Sequence, residues 1–442
     1  MMQRTLVRDA ASKIGETIVL RGFVHAVRNQ KAVQFIILRD HTGLIQIVAE
    51  RSEANSRLNR SIETLTRESV VRVTGVVVSN PNVKLGQLEV QLQTLAVDAL
   101  ADATLPIDLF GKTETEVDKR LDWRFLDLRQ PQHQVLFQVQ TTVEMAMREY
   151  WISNGFVEIH TPKIMGSPSE GGAELFTLDY FGQTASLAQS PQFYKQMAMA
   201  AGMERVFEIG PAFRADPSFT PRHSTEFTSV DMEMSWIDSH QDVMAFEEAW
   251  LWHVLQAVRE KHGKEIAETF GAEVIVPGLP FPKITMEDAQ RILEKQGYVP
   301  PSDTKKGDLD PQGERLLCEY ARQQFGHEFI FITDYPVEVR PFYHMRKQEE
   351  SGKTKSFDLL WKWMEITTGA QREHRYDVLV KQALEKGIEL ESIQFYLDFF
   401  KYGCPPHGGF GFGLARLLAA LLNQKSIRDV VFLHRGPNRL IP

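Results

Sequence analysis

Five runs of β-branched and aromatic residues crowd into the first hundred positions, and nothing else in the 442-residue chain limits its fold so strongly. TIVLRGFVHAV, VQFIILRD, LIQIVAE, SVVRVTGVVVS and QLEVQLQTLAV are each of strand length, with a turn at His41-Thr42-Gly43 and a helical stretch over about 52–66 ahead of the fourth run. That order is the pattern of an OB-fold barrel, a fold that commonly binds single-stranded nucleic acid on one sheet face; any other small β-barrel is the alternative. Residues 1–102 carry 13 Lys+Arg against 10 Asp+Glu, whereas the remainder has 37 against 48. The N-terminal part is therefore the expected seat of phosphate contacts, although the chain as a whole has a net charge of -8.

Beyond the barrel, Pro106 and Gly111 punctuate a hinge over 105–131, which separates a domain at 1–104 from one at 132–442. From His133 to Asn154 apolar residues recur at Leu136, Val139, Val143 and Met147, a helical period closed by Gly155. FVEIHTP reads as a strand stopped by Pro162, and ASLAQ, RVFEIGPAF and TSVDMEMSW as further strands interleaved with helices. The expectation is an α+β domain on an antiparallel sheet, with a peripheral insertion over about 259–356. No apolar run approaches bilayer length and the start MMQRTLVRDA lacks a secretory apolar stretch, so a soluble, cytoplasmic protein with no membrane partner is expected. Cys318 and Cys404 stand apart, which argues against a disulfide framework or a structural zinc site.

Two constellations carry chemistry. In FEIGPAFRADPSFTPRHSTEFTSVDMEMSW two strands flank a polar loop; Val230, Met232 and Met234 fall on one face of the second strand, Asp231 and Glu233 on the other. Arg214, Arg222 and His223 lie in the connection, and guanidinium groups hold phosphate oxygens in bidentate geometry, so a nucleoside triphosphate suits this hairpin if it faces a pocket; otherwise it is a solvated hairpin. Near the C terminus GGFGFGLARLLAALLN sets glycines, Gly413 among them, before an amphipathic helix whose first turn carries Arg416. There is neither a GK[ST] nor a Rossmann acid, so the phosphate site is of another kind.

Read in order with FVEIHTPKI, these segments resemble motifs 1, 2 and 3 of class II aminoacyl-tRNA synthetases, and EGGAELF, AQSPQFYKQ, TTGAQREHR and PPHGGFGFGLARL resemble the aspartyl branch in its archaeal and eukaryotic form. The resemblance implies ATP as substrate and Mg²⁺ as cofactor. It implies that Arg214 binds the α-phosphate and stabilises the pentavalent transition state, that Arg222 and His223 hold the outer phosphates, that Phe227 stacks on adenine, that Arg416 takes the γ-phosphate from the other side, and that Gly413 belongs to the ATP site. Asp216 stands where the family usually has Glu, with a shorter reach. Glu365 and Thr368 match the family's Mg²⁺ ligands and Asp358 a nearby acid; Asp358 and Glu365 lie an odd number of positions apart, so they share a site only if the chain turns within LLWKWM, which has no glycine.

For the amino acid, Ser190 and Pro191 open a helix that carries Lys195, and Arg372 follows in GAQREHR. The resemblance implies that Lys195 and Arg372 grip a side-chain carboxylate, with Glu170 and Gln192 holding the α-amino group and Arg214 and Thr368 completing the pocket; two desolvated cations reject a neutral amide. It also implies that Phe35 stacks on the central anticodon base while Gln46 and Glu89 read base edges, although VQFIIL gives no clean alternation and Phe35 could equally be core. His25 stands where enzymes restricted to the aspartate tRNA resemble one another in carrying Trp, so tRNA(Asn) joins tRNA(Asp) as an expected partner. Pro162 and its strand are placed in a homodimer interface. The alternatives are an asparaginyl-tRNA synthetase or another adenylate-forming paralogue, and a non-catalytic tRNA-binding regulatory protein.

Overall fold

The computed structural model describes all residues except 1–2, 111–114, 168–173, 219 and 351, and the chain divides into compact units at 1–114 and 115–442. In the first unit β1 (Thr17–Asn29), β2 (Val33–Asp40), β3 (Gly43–Glu50), β4 (Val70–Ser79) and β5 (Leu88–Ala99) close into a barrel in the order β1-β2-β3-β5-β4, with α1 (Ser56–Glu63) between β3 and β4. Alternation fills it: Leu20, Ile36, Leu38, Ile45, Ile47, Val71, Val73 and Val90 point inward and are buried. Gly75 is required at the closure, because a Cβ there would lie 2.3 Å from the Gln91 carbonyl oxygen.

The second unit begins with α2 (Val117–Asp122), α3 (Arg124–Asp127) and α4 (Pro131–Ser153). The stretch 105–131 is thus no bare linker: Ile107 and Leu109 are buried on the barrel side of the division, and Arg124 is buried against Asp127 on the other. There follow β6 (Val157–Glu158), a small three-stranded sheet of β7 (Ile164–Met165), β8 (Thr177–Tyr180) and β9 (Gln183–Leu187), then α5 (Gln192–Ala200), β10 (Arg205–Phe213), β11 (Glu226–Ser235) and α6 (His240–Phe270). After α6 come β12 (Lys283–Thr285), α7 (Met286–Lys295), α8 (Pro311–Phe325), β13 (Phe329–Thr333), β14 (Ser356–Trp361), β15 (Met364–Gln371), α9 (Tyr376–Glu385), α10 (Gln394–Lys401), β16 (His407–Gly413) and α11 (Leu414–Leu421). Eight strands form one sheet, β12-β13-β14-β15-β16-β11-β10-β6, antiparallel except for the β12/β13 and β10/β6 pairs.

One sheet face rests on α4 and α6, where Trp151 stacks on Phe207 at 4.6 Å and on Trp250 at 4.8 Å. Ser239 and Asp242 make a capping box that starts α6, and Gly271 ends it in the left-handed conformation at φ 62°. The stretch 259–356, expected as a peripheral insertion, is not peripheral throughout. Ile266 keeps the end of α6 in the core, and β13 enters the main sheet with Phe329 and Phe331 buried. Pro and Gly clusters around β12 and α8 hide that β13, FIFIT, is an unbroken apolar run, the signature of a strand covered on both faces.

Candidate active site

The uncovered face of the sheet carries the site. In β11 Val230 and Met232 enter the core, so Asp231 and Glu233 project to the other side, paired in register with Gly411 and Gly409 of β16. Gly409 must be glycine for the protein's own sake, since a Cβ would meet the Met232 oxygen at 2.1 Å and Glu233 Oε2 at 2.4 Å. Over these acids α5 lays Lys195, fully buried, with Nζ 3.0 Å from Asp231 Oδ1 and 3.3 Å from Glu233 Oε2. From the end of β15 Arg372 donates through Nε to Glu233 Oε1 at 2.9 Å and through Nη2 to the Gly409 oxygen at 3.0 Å, with Nη1 3.0 Å from His344 Nε2.

Glu233 thus bridges the two cations. Burial on its own pushes its carboxyl up, but Arg372 and then Lys195 overcome this and hold it below the ordinary carboxylate range. The sequence alone offers two waiting cations; the structure shows them matched by two acids, because Asp231 and Glu233 share their side of the sheet. Such pairing fixes both cationic heads before any ligand arrives.

Beside this cluster opens a cavity of about 350 Å³, lined by Gln192, Arg214, Phe227, Arg372, Gly413 and Arg416 among others. Arg214 lies over the Phe227 ring at 5.4 Å, and both side chains line the cavity. Asp216, also on the wall, accepts from the Ser218 N–H at 2.9 Å and shapes the loop. His223 lines the wall near Asp216 with a pKa lowered by burial and then by Arg416. Arg222 faces the cavity but is buried against Glu314. Arg416 donates through Nη1 to Glu365 Oε1 at 2.9 Å and to the Glu365 carbonyl at 3.0 Å. Arg214, Arg372 and Arg416 therefore share one cavity; Lys195 is not in its lining but is buried against Asp231, which is.

Glu365 and Thr368 line the cavity; Asp358 does not. Asp358 is buried, its Oδ2 accepts from Arg340 at 2.6 Å, and burial pushes its carboxyl up to about 6 against the pull of that guanidinium. The parity obstacle is removed by the turn: Trp361 faces Met364 across Lys362 and Trp363, so Leu360 faces Glu365 and Glu365 falls on the side of Asp358, while a bulge between Leu359 and Leu360 brings Thr368 opposite Asp358. Lys362 at φ 57° makes the turn that a glycine was expected to make. Among the described residues no three His, Cys, Asp or Glu side chains are arranged to hold a metal ion. Glu170 lies outside the described residues. Glu314, Arg340 and His344 escape a reading of the sequence, since each is single in its segment and no period or motif marks it.

In the barrel, pairing puts Phe35 beside Val48, and Gln46 beside Ile37 and Glu89. Ile36, Ile45, Ile47 and Val90 take the inward positions, so Phe35, Gln46 and Glu89 share the outer face and Phe35 is not core. Gln46 Nε2 donates to Glu89 Oε2 at 2.8 Å. His25 falls at the register shift between Val24 and Ala26, edge-on to Phe110 at 5.1 Å.

An antiparallel sheet backed by long helices, presenting arginines to an open cavity without a P-loop or a Rossmann turn, is the catalytic architecture of the class II aminoacyl-tRNA synthetases. Residues 116–435 match the family "tRNA synthetases class II (D, K and N)", and residues 18–97 match the "OB-fold nucleic acid binding domain". The chain belongs to that class II family. It is 42% identical to an aspartate–tRNA(Asp) ligase of Pyrococcus abyssi, over 97% of each chain. It is 44% identical to an aspartate–tRNA(Asp/Asn) ligase of Methanopyrus kandleri, over 97% of this chain and 96% of that one. Its fold superposes on an asparaginyl-tRNA synthetase of Pyrococcus horikoshii complexed with asparaginyl-adenylate, with a TM-score of 0.91 and 31% identity over the whole of both chains. No helix among the described residues is long and apolar enough to cross a membrane.

Proposed function

We propose that the protein joins L-aspartate to ATP, forming aspartyl-adenylate and pyrophosphate, and transfers the aspartyl group to tRNA(Asp). The observation that carries this reading is the clamp of Lys195 and Arg372 held on one carboxylate, Glu233, beside the arginine-lined cavity. An aspartate side chain brings two acceptor oxygens to cations whose remaining N–H groups are already aimed by Asp231 and Glu233, whereas an asparagine amide turns an NH2 donor toward one of them. The α-carboxylate attacks the α-phosphorus in line as the bond to the pyrophosphate oxygen breaks. Arg214 meets the charge that grows on the α-phosphoryl oxygens, Phe227 takes the adenine face, and Arg416, His223 and Arg222 meet the outer phosphates. Gln192, on the cavity wall with a buried Nε2 that has no protein partner among the described residues, supports the reading that it meets the amino acid.

Glu365 and Thr368 are the wall oxygens suited to Mg²⁺, which takes few protein ligands and completes its shell with water and phosphate. Bound there, the ion neutralises phosphate charge. Asp358 acts behind them through Arg340, not as a ligand. Exposed Met145 and Ile152 on α4 and Val157 on β6 suit the homodimer interface that the family resemblance implies at Pro162. Pyrophosphate exchange with aspartate and asparagine in parallel, followed by charging of purified tRNA(Asp) and tRNA(Asn), tests the reading. Aspartate alone is expected to support exchange, and both tRNAs to be charged, since His25 rather than Trp stands at the barrel bulge; equal exchange with asparagine overturns the pocket.

Phe35→Ala is expected to weaken tRNA binding by roughly 10- to 100-fold, the range for losing one base–aromatic stack, while exchange without tRNA stays as in the parent. Filter binding of tRNA(Asp) reads the first and pyrophosphate exchange the second.

A further inference from the structure

We propose that Glu314 is a positioning residue for the outer-phosphate end of the nucleotide site, holding Arg222 and the Glu365 main chain in one geometry. Glu314 stands in the first turns of α8, whose start is fixed by Asp310, which accepts from Gln312 N at 3.1 Å and Gly313 N at 3.3 Å. Leu317, Cys318 and Ala321 anchor the helix against Ile330 and Ile332 of β13. The acid thus arrives on a rigid element. Its single Oε2 accepts both from Arg222 Nη2 and from the Glu365 N–H, the latter at 2.6 Å. Glu365 in turn binds Arg416 at 2.9 Å. Arg222, Glu314, Glu365 and Arg416 form a chain in which two carboxylates, joined through the Glu365 N–H, lie between two guanidiniums behind one cavity wall, so the spacing of the guanidiniums is set by the acids.

Arg222 is not consumed by this contact. Its Nε is a buried donor with no protein partner among the described residues, and a guanidinium has five N–H groups to give. An incoming anion with several oxygens, such as the tail of a triphosphate, meets a donor that Glu314 has already aimed. A surface ion pair would do no such work, but only 8% of either side chain is exposed.

This inference rests on the reading in which Arg222 meets the outer phosphates, and the experiment separates the two. Glu314→Gln keeps an oxygen for the Glu365 N–H but no longer offers Arg222 a carboxylate. In pyrophosphate exchange its KM for ATP is expected to rise about tenfold, the scale of one misplaced charge-assisted hydrogen bond, with KM for aspartate within about twofold of the parent. Arg222→Ala is expected to raise KM for ATP at least as much, and Glu314→Gln added to it to raise it no further. A parental KM for ATP in Arg222→Ala overturns the underlying reading. A raised KM there with no effect of Glu314→Gln, or multiplicative effects in the double variant, overturns the inference alone. If Glu314→Gln does not fold, Glu314→Asp keeps the charge on a shorter arm and is expected to shift KM for ATP selectively; equal shifts for both substrates, or none, overturn the proposal.

Discussion

Replacing Lys195 by Leu is expected to lower aspartate-dependent pyrophosphate exchange on the order of a thousandfold or more, and to leave tRNA binding near the parental level. The lysine Nζ is the only group that touches both Asp231 and Glu233 among the described contacts, and its side chain has no exposure. Without it two acids share one cation, Arg372, and the site changes from neutral to net negative just where the substrate brings a carboxylate. Repulsion then replaces attraction at short range in a desolvated pocket, and the loss of a buried charge partner adds about 3–5 kcal/mol of local destabilisation. That second effect is why the thermal unfolding of the variant is followed alongside: Lys195 belongs to the unit 115–442, and binding through the barrel would not report whether that unit still folds. Exchange within tenfold of the parent in a variant that binds tRNA normally would remove aspartate from the clamp.

How far the site could be read in the sequence follows from how each residue is delivered. Arg214, Phe227 and Arg416 sit in segments whose local pattern, strand–loop–strand or glycine strand into helix, already fixes where they point, and they do line one cavity. Lys195 is legible as a residue of the first helical turns because Ser190 and Pro191 mark a start; α5 opens one residue later than expected, at Gln192 with Pro191 at the N-cap, and Ser190 Oγ accepts from the Gln192 N–H at 3.3 Å. What could not be read is charge partnership across distant segments. Glu233 looked like an open-face acid by alternation, but α5 and the end of β15 cover it, and alternation carries no information about what covers a face. The same limit hid Glu314, whose partner Arg222 is 92 residues away. Asp358 and Glu365 looked incompatible for a different reason: parity counted along one strand ignores a turn, and the two-residue turn at Lys362 and Trp363 brings both acids to one side, although only Glu365 reaches the cavity.

The barrel was the more legible part, because strand length and turn residues alone close it, and the alternation left ambiguous at Phe35 was settled only by pairing with β3. The stretch 259–356 misled because breakers at its ends outweighed the short apolar strand inside it. A fully buried strand has no alternation to find.

Glu247→Gln is expected to raise the thermal midpoint at pH 8 and to change it little near pH 5. Glu247 stands on α6, fully buried on the core side of the sheet, and neither carboxyl oxygen has a protein partner of good geometry among the described residues. Burial pushes its pKa up from the ordinary 4.5 to about 8, eased by the Thr367 hydroxyl and reinforced by the charges of Glu248 and Asp358. The unfolded chain gives up this proton above about pH 4.5, whereas the native state keeps it until about pH 8. Between those values the native state binds more protons, so its stability falls as pH rises and the loss is complete only above the native pKa. Every tenfold difference in proton affinity between the two states is worth about 1.4 kcal/mol, so the full penalty is on the order of several kcal/mol. A glutamine of the same shape never ionises and escapes it, so the gain over the parent should grow from little at pH 5 to roughly 5 °C at pH 8. Unfolding curves collected across pH 5–9 that run parallel for the two proteins would show that Glu247 is solvated or paired in the native state, and that the carboxyl does not titrate in this window.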